Sequence, residues 1–164
     1  MRFPPALKIL LVIFLANCYH FSMPKTKKLF TSTDKATISA IIAGKLQEYP
    51  EILFAYLHGS FLTSEVFHDI DLALFLQKAP PSSIEYELNM EIALSRSNTG
   101  FPIDVRLLNG APLSFQFNVI KEGIPILVRD DISRSDFQER TIKNYFDFAF
   151  FRKQYLKEVF RIAI

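Results

Sequence analysis

Apolar residues recur along this chain with two different periods, and the switching between them lays out the elements. Ile38, Ile41, Ile42 and Leu46 fall at helical spacing behind Ser32-Thr33-Asp34, whose side chains suit a helix start, so a helix is predicted from Asp34 to Tyr49, closed by Pro50. Glu51 to His58 is almost continuously apolar and reads as a buried strand leading into Gly59-Ser60 and a polar loop. His68 to Leu76 alternates instead, with Ile70, Leu72, Leu74 and Leu76 on one face and Asp69, Asp71, Ala73 and Phe75 on the other. Ser82-Ser83 opens a helix reaching Ser97, with Ile84, Leu88 and Ile92 on one stripe, before Gly100. Pro102 to Leu108 alternates again, placing Asp104 and Arg106 opposite Ile103, Val105 and Leu107. A helix from Pro112 to Glu122, a strand from Ile124 to Val128 and a long helix from Ser135 to Arg161 complete the series. Strands interleaved with helices predict an α/β (α+β) domain, a small mixed sheet of about four or five strands with helices on one side and the aspartate carboxylates of the alternating strands at its open edge.

The alternation carries the candidate chemistry. Same-face residues two apart on a strand stand about 6.6 Å apart, so Asp69 and Asp71 can converge on one hard cation and reach a second. Asp104 occupies a matching position on another strand. Three carboxylates on packed strands raise one another's pKa values unless something positive neutralises them, and a divalent metal is the simplest such group. Two ions would stabilise both the attacking and the leaving oxygen of an in-line displacement at phosphorus, and Mg2+ suits an all-oxygen shell completed by phosphate and water. Gly59 lets the backbone approach a phosphate closely, and the Ser60 hydroxyl can hold its oxygens.

The segment Leu57-His58-Gly59-Ser60-Phe61 followed by His68-Asp69-Ile70-Asp71-Leu72, with Ile103-Asp104-Val105 further on, resembles the signature of the polymerase beta-like nucleotidyltransferases. The length is similar to that of the minimal nucleotidyltransferases, the antitoxin partners of HEPN-domain toxins, and the likeness extends through Val119 to Pro125 and Tyr145 to Phe148. The loop between Ser60 and Asp69 is short for the family, Ser64 stands where a glycine is often found, and His68 replaces the usual serine before the first aspartate. The resemblance implies that Asp69, Asp71 and Asp104 hold Mg2+ as the catalytic residues and that Gly59 and Ser60 bind the nucleotide. It further implies transfer of a nucleoside monophosphate, AMP from ATP, to a tyrosine hydroxyl of a cognate HEPN toxin. A binding-only antitoxin with vestigial catalysis and a small-molecule transferase of the aminoglycoside-modifying type are the alternative readings.

Composition narrows the surroundings. The chain has 164 residues, which suits one domain, and 49% apolar content with 17 Phe and no Trp puts much of the core into benzyl groups. The single Cys18 excludes an internal disulfide and a cysteine-based zinc site. Formal net charge is +2, and beyond residue 22 the basic and acidic residues balance at 17 each, so broad nucleic-acid binding has no electrostatic basis and no direct nucleic-acid partner is expected. Residues 1–22 differ from the rest: a basic start, an apolar run from Ile9 to Ala16 and Asn17-Cys18 look like a signal or lipoprotein leader, too short to span a bilayer. The reading adopted takes Met23 as the true start and the protein as cytoplasmic, since the implied reaction needs nucleoside triphosphate; a membrane enters only if the leader is real. The organisation is then residues 1–22 as leader or mis-assigned start, 23–133 as the nucleotidyltransferase domain and 134–164 as a C-terminal helix for packing and partner binding.

Other polar residues receive plainer readings. His58 and His68 are read as structural strand-end residues, Arg106 as an ion-pair partner of Asp104, and Lys121 and Arg129 as solvated charge. The last helix is apolar on more than one side: Ile142, Phe146, Ala149, Lys153, Leu156 and Phe160 form one stripe, and Tyr145, Phe148, Arg152, Tyr155 and Val159 another. Such a helix either crosses a core lined on both sides or docks another protein.

Overall fold

The computed structural model describes residues 31–97 and 99–160. The leader, Cys18 and Met23 lie outside the described residues, as do the side chains of Leu156 and Phe160 in the last helix. The order is α1 (Ser32–Leu46), β1 (Ile52–His58), α2 (Ser60–Thr63), β2 (Ile70–Leu76), α3 (Ser83–Ser95), β3 (Ile103–Leu107), α4 (Leu113–Glu122), β4 (Ile124–Val128) and α5 (Asp131–Phe160). Four strands form one sheet in the order β3-β2-β1-β4. β1 runs antiparallel to β2 and β4, while β2 and β3 are parallel. The sheet is therefore mixed, as the sequence suggests.

Helices cover both faces of the sheet rather than one. Ile38, Ile42 and Leu46 of α1 and Met90 and Leu94 of α3 pack with Ala55, Leu57, Leu72 and Leu74 on the first face. Phe54, Tyr56 and Ala73 on the second face pack with Val119 of α4 and Phe137 of α5. The inner strands are apolar on both sides, so each face needs its own cover, and one layer of helices would leave Phe54 and Phe75 in water. A register shift between Ile52 and Phe54 marks a bulge that re-aims the start of β1.

Element ends differ from the sequence reading where polar caps decide them. α1 begins at Ser32 because Thr31 and Asp34 form a capping box, each side chain bonded to the other's backbone N–H. It stops at Leu46, where the guanidinium of Arg129 donates to the carbonyls of Leu46 and Gln47, so Arg129 is a helix stop rather than solvated charge. β2 starts at Ile70, which leaves His68 and Asp69 in the bend before it. α5 starts four residues earlier than its hydrophobic periodicity, since Asp130 accepts bonds from the Ser133 N–H and hydroxyl at 3.0 and 2.6 Å.

The first turns of α5 are fixed to the sheet and the remainder is not. The buried Tyr56 hydroxyl accepts from Gln138 at 3.0 Å and Arg134 at 3.4 Å, with Phe137 packed on Phe54 and Phe75. Past Thr141 the contacts of the helix are with α4, through Tyr145 stacked on Phe117 at 3.8 Å and Phe146 edge-on to the same ring. Phe146, Phe148, Phe150, Phe151, Tyr155 and Val159 are exposed, so among the described residues no second core receives the helix. No described helix is long and apolar enough to cross a membrane.

These packing differences predict opposite mutational costs. Phe54→Ala, which empties the stack on Phe75, is expected to lower unfolding free energy by about 3–5 kcal/mol in urea titrations. Phe146→Ser, on the uncovered part of α5, is expected to stay within about 0.5 kcal/mol of wild type.

Candidate functional site

The sheet register gathers residues that the sequence leaves far apart. His58 at the end of β1 is paired with Asp71 on β2, and Asp71 with Asp104 on β3, so the three form one row across the sheet. All three project from the face that carries Phe54, Tyr56 and Ala73. Asp71 sits on an interior strand and Asp104 on an edge strand, which corrects the expectation that the carboxylates stand together at the open edge.

A cleft of about 530 Å³ opens over this row. His58, Asp71, Asp104, Glu87 and Arg106 provide its polar wall, and Ala111, Pro112 and Phe115 an apolar one. Asp69, Gly59 and Ser60 lie outside that wall, although Asp69 is near enough for its charge to act on Asp71. His68 is exposed in the bend and takes no part in the cleft, and Lys121 pairs on the surface with Glu122 at 3.3 Å.

Gly59 is the turn that brings the Gly-Ser pair against the first of these carboxylates. Its φ of 73° and ψ of −156° lie in a region that side-chain-bearing residues avoid. A Cβ there would come 2.0 Å from Asp71 Oδ2 and 2.8 Å from its Cγ, so the glycine leaves the space that the carboxyl group fills. The loop that follows is held down by Lys35 of α1, which donates to the Ser64 carbonyl at 2.7 Å and lies over the rings of Phe61 and Phe67.

Electrostatically the row is under-compensated. Burial pushes the Asp71 carboxyl above its ordinary range; His58 pulls it back, and the charges of Asp69 and Asp104 push it further up. Burial pushes His58 below its ordinary range against the pull of Asp71 and Asp104, favouring the neutral imidazole. Its Nε2 is buried without a hydrogen-bond partner, and its ring stands edge-on to Phe115. His58 thus belongs to the cleft rather than being only a strand-end residue, a placement that depends on the β1–β2 register.

The edge strand owes its position to two glutamates that carried no signal in the sequence. Glu87 and Glu91, one turn apart on α3, accept the outward N–H groups of Leu107 at 2.8 Å and Val105 at 3.2 Å. Asn109 closes the next turn by exchanging both of its amide bonds with the backbone of Leu76, at 2.8 and 2.9 Å. Each is a side chain satisfying a distant backbone group, which periodicity does not reveal.

The donor chemistry at the row fits a hard divalent cation, since Asp71 and Asp104 offer carboxylate groups at one register beside an open cleft. Magnesium takes one or two carboxylates and completes its shell with water and phosphate. A full protein cage is not assembled: among the described residues no three His, Cys, Asp or Glu side chains stand close enough to hold a metal ion. Asp104 Oδ1 is turned instead to Arg106 Nε at 3.3 Å, the ion pair expected from the sequence.

Comparisons with known proteins bear on the family and the fold. The family described as Polymerase beta, Nucleotidyltransferase matches residues 41–132, a span containing Gly59, Ser60 and all three aspartates. No curated protein matches the sequence. A chain from the structure of a tri-AMPylated Shewanella oneidensis HEPN toxin in complex with MNT antitoxin aligns at a TM-score of 0.58 and 19% identity, over 77% of this chain and 98% of that one. A chain from a toxin–antitoxin crystal structure with AMP-PNP aligns at 0.59 and 20% identity, over 74% of this chain and 98% of the other. One from the MntA-HepT toxin–antitoxin structure aligns at 0.57 and 18%, over 79% and 99%. At these identities the likeness is one of fold.

The contact at Gly59 is open to a direct test. Gly59→Ala is expected to cost about 1–3 kcal/mol of stability from backbone strain alone. In an Asp71→Ala background the same substitution is expected to cost less, because the carboxyl atoms that the new methyl group meets are gone. A double-mutant cycle in urea measures the coupling, and strictly additive costs would exclude the contact.

Proposed function

The chain belongs to the polymerase beta nucleotidyltransferase family, and on that premise we propose that it transfers AMP from ATP to a tyrosine hydroxyl of a HEPN-domain toxin, acting as that toxin's antitoxin. The observation that carries the reading is the row of Asp71 and Asp104 across β2 and β3, with the Gly59 turn packed on Asp71 beside an open cleft. In the reaction the tyrosine oxygen bonds to the α-phosphorus as the bond to the α,β-bridging oxygen breaks, releasing pyrophosphate and a proton.

Each group has a defined task. The glycine turn and the Ser60 hydroxyl hold the triphosphate, and the apolar wall of Ala111, Pro112 and Phe115 excludes water from one side of the nucleotide. Asp71 and Asp104 would hold Mg2+ across the row, with Asp69 in the bend before β2 as the third ligand implied by the family pattern and two ions in the full reading, and the metal would supply charge neutralisation at the reacting phosphate. The raised pKa of Asp71 accords with this: burial raises it most, the charges of Asp69 and Asp104 add to it, and a cation at the carboxylate would oppose both.

The choice of a protein as acceptor rests on α5. Its uncovered aromatic face borders an apolar groove of about 280 Å³ lined by Leu113, Ser114, Tyr145, Phe148, Ala149 and Arg152. Leu113 of that groove follows Ala111 and Pro112 of the cleft wall in the chain, which supports a partner docked on α5 near the site. The structures named above, of HEPN toxins with MNT antitoxins, supply the partner class. The same exposed face supports a second reading, an antitoxin that neutralises by binding alone.

Labelled ATP, Mg2+ and the protein encoded beside this one distinguish the two. Wild type is expected to label the partner on tyrosine, and Asp71→Asn or Asp104→Asn to reduce the rate by about 10²-fold or more, as the loss of several kcal/mol of charge stabilisation requires. If both variants neutralise the toxin as well as wild type without any label transfer, neutralisation is by binding. A wild type that transfers no label to the partner would sink the catalytic proposal.

A further inference from the structure

The charged groups lining the cleft are mostly ones that would repel a nucleotide. Asp71, Glu87 and Asp104 are acids, and among the described residues Arg106 is the one lysine or arginine side chain on the wall. Glu87 and Glu91 are already engaged by the backbone N–H groups of β3. Arg106 sits two residues along the same strand face from Asp104, so to pair with it the side chain must fold back along β3 instead of extending over the cleft.

The pair it makes is weak. A single Nε to Oδ1 approach of 3.3 Å joins the two side chains, not the two-pronged contact that arginine and carboxylate form at their strongest. Both partners are well exposed, at 60% for Arg106 and 43% for Asp104, where solvent and salt screen the attraction. Asp104 is therefore neutralised in the free protein by a charge that is easily displaced.

We propose that Arg106 is the resident counter-ion of this site: it holds Asp104 in the free protein, yields that carboxylate to an incoming divalent cation, and turns to the phosphates of a nucleoside triphosphate. The inference rests on the metal and nucleotide site described under the proposed function. A cation competes directly with Arg106 for Oδ1, and once displaced the guanidinium is the cleft's own source of positive charge for a polyanionic ligand. Arg106 is then a residue with opposite effects on the two ligands, which a purely structural ion pair would not have.

Two binding measurements on the full chain separate the possibilities. Mn2+ titrated alone, with free ion read by electron paramagnetic resonance, is expected to bind Arg106→Gln about two- to five-fold more tightly than wild type. In saturating Mg2+, α,β-methylene-ATP, which cannot undergo the transfer, is expected to bind the same variant about three- to ten-fold more weakly. Arg106→Lys keeps the charge and is expected to fall between the two in both titrations. Unchanged or weaker Mn2+ binding by Arg106→Gln, or undiminished nucleotide binding, overturns the assignment. Matching thermal melts for the variants confirm that folding is not the variable. A wild type that binds no Mn2+, or binds it equally after Asp104→Asn, overturns the metal site and this inference with it. Wild-type binding lost in Asp104→Asn but unaltered in Arg106→Gln overturns the inference alone.

Discussion

The parallel pairing of β2 with β3 sets Asp71 beside Asp104 at the same register, and adjacent strands stand only about 4.8 Å apart. Two carboxylates held that close, one of them partly buried, repel each other, and each surrounding feature is a response to that juxtaposition. Gly59 has no side chain because Asp71 occupies the space that one would need. Arg106 folds back to Asp104. His58, the third member of the row, is positioned to soften the field at Asp71. The register itself is held by groups remote from the row: the two α3 glutamates along the outer edge of β3 and the Asn109 clamp on Leu76.

The second face of the sheet links this row to the C-terminal helix. Phe54, Phe75 and Phe137 form one aromatic cluster, and Tyr56, two residues before His58, presents its hydroxyl to Arg134 and Gln138. The root of α5 is thereby fixed relative to the site by buried contacts. Its outer half carries aromatic side chains that no described part of the chain covers. A helix anchored at one end and apolar at the other suits the proposed protein acceptor, whose position relative to the cleft docking on the free half would fix.

The sequence by itself determined the strands and their faces, because a period of two is a local property that alternation along one strand reveals. Asp71 opposite Leu72, and Asp104 opposite Val105, follow from that alternation and stand as read. It did not determine which strands are neighbours. That His58 joins the row while Asp69 falls in the bend before β2, outside the cleft wall, depends on pairing between strands remote in the chain. Helices cover both faces because the apolar runs of β1 and β2 demand it, yet which helix takes which face is settled only by packing. Arg129, Glu87, Glu91 and Asp130 were silent for one shared reason: each satisfies a backbone group whose exposure exists only after helices and edges have formed. Local periodicity wrote the elements and their chemistry; long-range pairing decided which of those residues meet.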